Sequence, residues 1–207
     1  FGCDRERVMR QRTLPNRFFA ALRRVLTSLL VFLLTPVACA DQSYQVQRET
    51  LVRDIERQVT ETRRELGTDR LDPAVIAALR TVPRHEFVPA ALRSEAYGNY
   101  PLPIGGGQTI SQPYIVAIMT HLLGVKAGER VYELGTGSGY QAAVLAEMGV
   151  EVYSVEIVPE LAERAEETLK RLGYVSAHVK SGDGYLGWPE AAPFAGILVT
   201  AAGEKVP

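Results

Sequence analysis

The chain has 207 residues, 46% apolar and 23% charged, enough for one buried core plus an appendage and too apolar for a disordered tail. A net charge of −1 offers no basic excess to a nucleic acid or an anionic membrane. The 2 cysteines, Cys3 and Cys39, lie near the N-terminus, which excludes a disulfide framework or a cysteine-based metal site in the main body.

His85, His121 and His178 are scattered without the spacing of a helical metal site, so they read as surface or partly buried side chains and no metal is expected. Residues 1–40 have the grammar of a signal peptide. Arg10, Arg12, Arg17, Arg23 and Arg24 are basic, the stretch from Val25 to Val37 is almost wholly apolar, and Ala38-Cys39-Ala40 gives a small-x-small pattern before Asp41. The apolar run is shorter than the ~20 residues of a spanning helix. Export to the periplasm or beyond is therefore expected, with a cytoplasmic location as the alternative and no membrane association beyond the signal segment. Pro36 and Val37 fit a lipid-acceptor motif at Cys39 poorly. Residues 41–207 are expected to form one domain.

From Asp41 to about Leu66, apolar residues at Val46, Leu51, Val52, Ile55 and Val59 predict an amphipathic helix stopped by Gly67. Asp72-Pro73 supplies an N-cap and a proline at the first helical position, so Ala74 to Arg80 reads as a second helix closed by Pro83. Residues 83–113 contain Pro83, Pro89, Pro101, Pro103, Pro113 and Gly105-Gly106-Gly107, which predicts a long loop without regular secondary structure. Loops of such length tend to be functional, so this one is a candidate for touching substrate or cofactor; a linker is the bland alternative.

Tyr114 to Leu123 is apolar on nearly every face and predicts a core helix ahead of the turn Lys126-Ala127-Gly128-Glu129. Strands then alternate with helices. Arg130 to Leu134, Val150 to Val155, Ala177 to Lys180 and Ala195 to Val199 read as strands, and Ser138 to Met148 and Glu160 to Leu172 as helices. This order predicts an α/β, Rossmann-like fold: an open, mostly parallel sheet with helices on both faces.

The stretch Glu133-Leu134-Gly135-Thr136-Gly137-Ser138-Gly139 falls where a strand ends and a helix begins. Glycines there let the backbone turn and approach a ligand, and the helix start offers unpaired N–H groups. Glu156, about 20 residues after Gly135, ends the next strand, where a carboxylate can accept hydrogen bonds from both hydroxyls of a ribose. Asp183, in Ser181-Gly182-Asp183-Gly184, reaches the same crevice and suits an adenine amine, with Tyr185 or Trp188 to cover the ring; an ordinary Asp-Gly turn is the alternative. A nicotinamide-dependent dehydrogenase would need glycine at 140, where Tyr140 stands. Gly135, Gly137 and Gly139, preceded by Glu133, favour one nucleoside without phosphate, with Glu133 helping to position its charged amino-acid end.

Taken with these residues, the chain resembles the protein-L-isoaspartate O-methyltransferases, within the class I methyltransferases. The resemblance is carried by Val82-Pro83-Arg84 to Val88-Pro89, Tyr97 to Pro103, Gly107-Gln108-Thr109-Ile110-Ser111-Gln112-Pro113, Glu133 to Ala146, Tyr153 to Glu156, Gly182-Asp183-Gly184-Tyr185 with Gly187-Trp188, and Val199 to Ala202. It implies S-adenosyl-L-methionine as methyl donor and an isoaspartyl carboxylate in a protein or peptide as acceptor, a protein-repair reaction whose ester then loses methanol to give a succinimide. It makes Ser111 the active-site serine and sets Thr109, Ile110 and Ser111 over the donor. Gly184 joins Asp183 in the donor set.

A carboxylate attacks a sulfonium methyl without a strong base, so catalysis can be mostly alignment and Ser111 would orient rather than deprotonate. Family members follow a phenylalanine with aspartate at the fourth strand and continue with further strands. Here Phe194 precedes Ala195-Gly196, which predicts a weaker strand, and the sheet is expected to be incomplete at its C-terminal strands. A donor-binding chain without turnover stays open beside the enzyme. Isoaspartyl proteins are the expected partners of a monomer.

Overall fold

The computed structural model describes residues 42–201, so the signal-like leader lies outside the described residues. Residues Phe1–Tyr44 and Gln45–Pro207 separate into two units, and every described strand belongs to the second. Among the described residues no helix is long and apolar enough to cross a membrane.

The first helix, α1 (42–61), buries Leu51, Val52, Ile55 and Val59, the stripe its spacing predicts, and leaves Val46 exposed. It breaks at Thr62, whose hydroxyl meets the Tyr114 hydroxyl at 2.6 Å. A short turn, α2 (Arg63–Leu66), ends at Gly67 in the left-handed region at φ 72°, as a C-terminal glycine should. In α3 (Pro73–Thr81) the Asp72 side chain accepts from the Ala74 N–H at 2.7 Å, capping the helix start.

Between residues 83 and 113 the structure departs from the expected irregular loop. Two 3-10 turns, Arg84–Phe87 and Ala90–Glu95, lead into a β-hairpin of β1 (Leu102–Gly105) and β2 (Gln108–Ile110). Its strands are short, but Leu102, Ile104 and Ile110 are buried on one face, and a half-buried ladder forms despite the prolines. Gly105, Gly106 and Gly107 all carry positive φ, so the glycine run makes the hairpin turn instead of dissolving the structure. Helix α4 (Pro113–Leu123) follows directly; Val116, Ala117 and Thr120 are buried, yet Leu122 is exposed, so the helix is amphipathic rather than buried all round.

Four strands make one parallel sheet: β3 (Arg130–Leu134), β4 (Glu151–Glu156), β5 (Ala177–Ser181) and β6 (Gly196–Val199), in the spatial order β5-β4-β3-β6. Helix α5 (Tyr140–Glu147) links β3 to β4, and α6 (Pro159–Arg171) links β4 to β5. Both steps run in the same direction across the sheet, so right-handed crossovers put α5 and α6 on one face. The return from β5 to β6 uses 3-10 turns and covers the opposite face with Trp188 and Phe194, which pack on Tyr153 at ring distances of 5.3 and 5.7 Å. This is the expected Rossmann-like architecture of a parallel sheet with flanking helices. Strand β6 forms in spite of Gly196: a Cβ there would stand 2.7 Å from Leu123 Cδ1, so glycine is what lets the end of α4 approach.

Candidate active site

The strand order reverses at β3, with β4 and β5 on one side and β6 on the other. Ligands in open α/β sheets bind outside the strand C-termini at such a reversal. A cleft of about 310 Å³ lies there, lined by Leu134 and Gly135 at the end of β3, Glu156 and Ile157 at the end of β4, Asp183 and Gly184 after β5, and Thr200 and Ala201 after β6. Thr109, Ile110 and Ser111 of the hairpin segment line it too, as do Gly137, Tyr140 and Gln141.

The glycine turn is held from three sides. Glu156, almost fully buried, accepts the Gly137 N–H on Oε2 at 2.8 Å and the Val158 N–H on Oε1 at 3.0 Å. The Thr200 hydroxyl bonds the carbonyls of Leu134 and Gly135. Behind the turn, the Ser154 hydroxyl donates to Glu133 Oε2 at 2.6 Å, and the Thr136 hydroxyl shares a hydrogen bond of 2.6 Å with Ser154. Gly135 sits at φ 100°, and a Cβ on it would stand 2.8 Å from Ala201 Cβ, so a bare backbone is needed there.

The expected site residues thus fall into two groups. Thr109, Ile110, Ser111, Gly135, Gly137, Glu156, Asp183 and Gly184 share the cleft. Glu133 and Gly139 do not line it. Glu133 has no exposure, and burial pushes its carboxyl up to about 8, with the Ser154 hydrogen bond pulling down and the Glu156 charge pushing further up. It is mostly protonated at pH 7 and reaches the turn through Ser154 and Thr136, so the expectation that it positions a ligand's charged end is replaced by this indirect role. Gly139 leads into α5 at φ 85°, and a Cβ on it would crowd Ala165 and Leu169 at 3.3 Å, which makes it a packing glycine between α5 and α6.

Asp183 Oδ1 accepts the Tyr185 N–H at 2.9 Å as in an Asp-Gly turn, and the residue lines the cleft. Tyr185, half exposed, lines it as well, whereas Trp188 packs on Tyr153 under the Lys180 ammonium and is not at the cleft. Of the histidines, His85 is buried and bonds the Tyr97 hydroxyl at 2.8 Å through Nδ1, rather than lying at the surface. Among the described residues no group of three or more His, Cys, Asp and Glu could hold a metal.

Sequence reasoning missed Gln141 and Thr200. Gln141 is the second residue of α5, and its position two residues past the last glycine of the turn was the available signal. Its Nε2 bonds Thr120 Oγ1 at 2.9 Å, and the Thr120 hydroxyl donates to the Val116 carbonyl at 2.7 Å. Thr120 can therefore only accept from Gln141, which fixes the amide orientation and leaves Gln141 Oε1 buried without a partner among the described residues.

A parallel sheet with a glycine turn after one strand and an acid capping the next defines a class I methyltransferase fold, and the buried carboxylate, bare-backbone turn and half-exposed Tyr185 fit a nucleoside. The comparisons agree. The family described as protein-L-isoaspartate(D-aspartate) O-methyltransferase matches residues 56–207, and the chain belongs to that family. It is 57% identical over 171 residues to protein-L-isoaspartate O-methyltransferase 2 of Syntrophobacter fumaroxidans, covering 83% of this chain and 69% of the relative. It is 54% identical over 187 residues to protein-L-isoaspartate O-methyltransferase of Opitutus terrae, covering 89% and 76%. A solved structure titled protein-L-isoaspartate O-methyltransferase superposes with TM-score 0.66 at 31% identity, over 77% of this chain and 50% of that one. The chain thus spans half the length of that solved protein.

Proposed function

We propose that this chain transfers a methyl group from S-adenosyl-L-methionine to the free carboxylate of L-isoaspartyl residues in damaged proteins or peptides. The observation that carries it is the cleft in which the segment Thr109-Ile110-Ser111 faces the Gly135–Gly137 turn and Glu156.

When bound, the donor supplies a sulfonium methyl that a carboxylate can attack, giving an ester and a neutral thioether. The chain's own residues do the positioning. The Glu156 carboxylate, already fixed by two backbone N–H groups, keeps lone pairs for a ribose diol, and Asp183 offers an acceptor to an adenine amine beside Tyr185. Ser111 orients the acceptor carboxylate, which is ionised at neutral pH and needs no base, so rate comes from alignment. Buried Glu133, mostly protonated at pH 7, adds little negative charge that would repel the acceptor.

The test is incubation with labelled donor and an isoaspartyl peptide, which should yield base-labile methyl ester; the matching aspartyl peptide should yield none. Ser111→Ala should keep donor binding and lose about tenfold or more in turnover. Donor binding by the unaltered chain with no ester formed would leave a donor-binding protein without turnover instead.

Export to the periplasm belongs to the same proposal. It is supported by the basic stretch, the apolar run to Val37 and Ala38-Cys39-Ala40, and cell fractionation with N-terminal sequencing of the product tests it. Action on isoaspartyl proteins in general, as a monomer and without nucleic acid, completes it.

A further inference from the structure

Arg84 heads the fully buried side chains of the described residues by size. It follows Pro83 at the start of the first 3-10 turn, remote in sequence from the glycine turn. Its Nε donates to the Ala96 carbonyl at 2.8 Å and one terminal nitrogen to the Ser111 carbonyl at 2.9 Å. The guanidinium carbon lies 4.8 Å from the centre of the Tyr140 ring, and the other terminal nitrogen has no partner among the described residues.

A buried cation is costly unless something offsets it. Among the described residues no carboxylate acts on Arg84. Burial brings its guanidinium down to about 10, and the Tyr140 and Tyr97 phenols push back, so it stays protonated at neutral pH. A side chain wanted only for filling could be apolar at no such cost. What distinguishes Arg84 is what it joins: Ser111 comes from the hairpin segment and Tyr140 opens the helix after the glycine turn, and both line the cleft. The planar fork reaches two carbonyls while its face rests on a ring, which a lysine ammonium cannot reproduce.

We propose that Arg84 is a positioning residue that fixes the acceptor-orienting Ser111 against the Tyr140 end of the donor-binding turn, so that donor and acceptor meet in register. The inference rests on the proposed methyl transfer. A role confined to stability would weaken donor binding and turnover together, because Tyr140 adjoins the turn; a positioning role separates them.

The experiment compares the full chain with Arg84→Lys and, as a neutral second variant, Arg84→Gln. Calorimetry with S-adenosyl-L-homocysteine reads donor-site affinity, and steady-state transfer to an isoaspartyl peptide reads kcat/KM. Both variants should bind the nucleoside within about twofold of the unaltered chain and lose about tenfold to a hundredfold in kcat/KM for the peptide, the scale of one hydrogen bond to a charged group. Turnover in both variants equal to that of the unaltered chain overturns the proposal, as does loss of nucleoside affinity or folding in step with turnover in both. If the unaltered chain itself forms no ester, the proposed function fails and takes this inference with it; a normal unaltered enzyme beside normal variants removes this inference alone.

Discussion

The Ser154 hydroxyl donates to Glu133 Oε2 across 2.6 Å, between two side chains with no exposure on neighbouring strands. Glu133 titrates near 8 in this setting against an ordinary value of 4.5, mainly because burial disfavours the charged form. Between those two values the folded chain holds a proton that the unfolded chain has released, so stability falls as pH rises through that window. The contribution is present in full below about 4.5 and is lost by about 8. Urea unfolding from pH 5 to pH 8 should show this decline, and Glu133→Gln, which mimics the neutral form, should flatten it. A stability difference between the two proteins that does not change with pH would refute this account of Glu133.

Two glycines of the cleft should resist a methyl group for different reasons. At Gly135 the left-handed φ of 100° and the contacts at 2.8 Å with Ala201 Cβ and 2.9 Å with Thr200 Oγ1 both oppose alanine. At Gly184 the obstacle is Leu134 Cγ at 2.5 Å, a side chain that can shift. Gly182 has nothing within 4 Å and no left-handed φ. Chemical denaturation should therefore place Gly135→Ala lowest, by about 1–3 kcal/mol, and Gly182→Ala within about 0.5 kcal/mol of the unaltered chain. The order is what the measurement checks; equal losses at positions 135 and 182 would contradict it.

Glu156 accepts two backbone N–H groups, at 2.8 and 3.0 Å. Exchanging it for glutamine turns one acceptor oxygen into an NH2 that faces an N–H, which disturbs the turn and, under the proposed function, also removes an acceptor from the nucleoside. Affinity for S-adenosyl-L-homocysteine should drop about tenfold or more. Calorimetry showing an unchanged affinity in Glu156→Gln would remove this carboxylate from the donor site.

Much of this was legible because residues 130–199 obey local rules. The β-branched runs and the glycine and proline stops set every strand and helix of the sheet to within two residues of where it lies, and the acid ending β4 follows from strand alternation alone. The hairpin was not legible. Three glycines and two prolines in the seven residues from Pro101 to Gly107 argue for a loop, and only the tertiary burial of Leu102, Ile104 and Ile110 decides for a ladder. Glu133 misled for a related reason, since its place beside the glycines says nothing of which face of β3 it occupies. The choice between Tyr185 and Trp188 depended on the connection to β6 folding Trp188 back onto Tyr153, a contact across the sheet that spacing does not encode.

Gln141 gives the remaining prediction. Its Nε2 is committed to Thr120, so Oε1 is an acceptor without a partner on a residue that lines the cleft. A buried acceptor left unpaired costs about 1–3 kcal/mol, a penalty that a ligand N–H would relieve. Gln141→Met removes that acceptor at similar length, and Thr120 keeps its bond to the Val116 carbonyl. Without ligand the variant should be at least as stable as the unaltered chain. With saturating S-adenosyl-L-homocysteine, or with that nucleoside plus an isoaspartyl peptide, it should gain less, because the stabilisation a ligand confers scales with its affinity for the folded state. Thermal unfolding with and without each ligand separates the two sources of the N–H: a deficit with the nucleoside alone assigns the bond to the donor, and a deficit only with the peptide assigns it to the acceptor. A less stable ligand-free variant with full gains from both ligands would show that Gln141 serves the core and not the cleft.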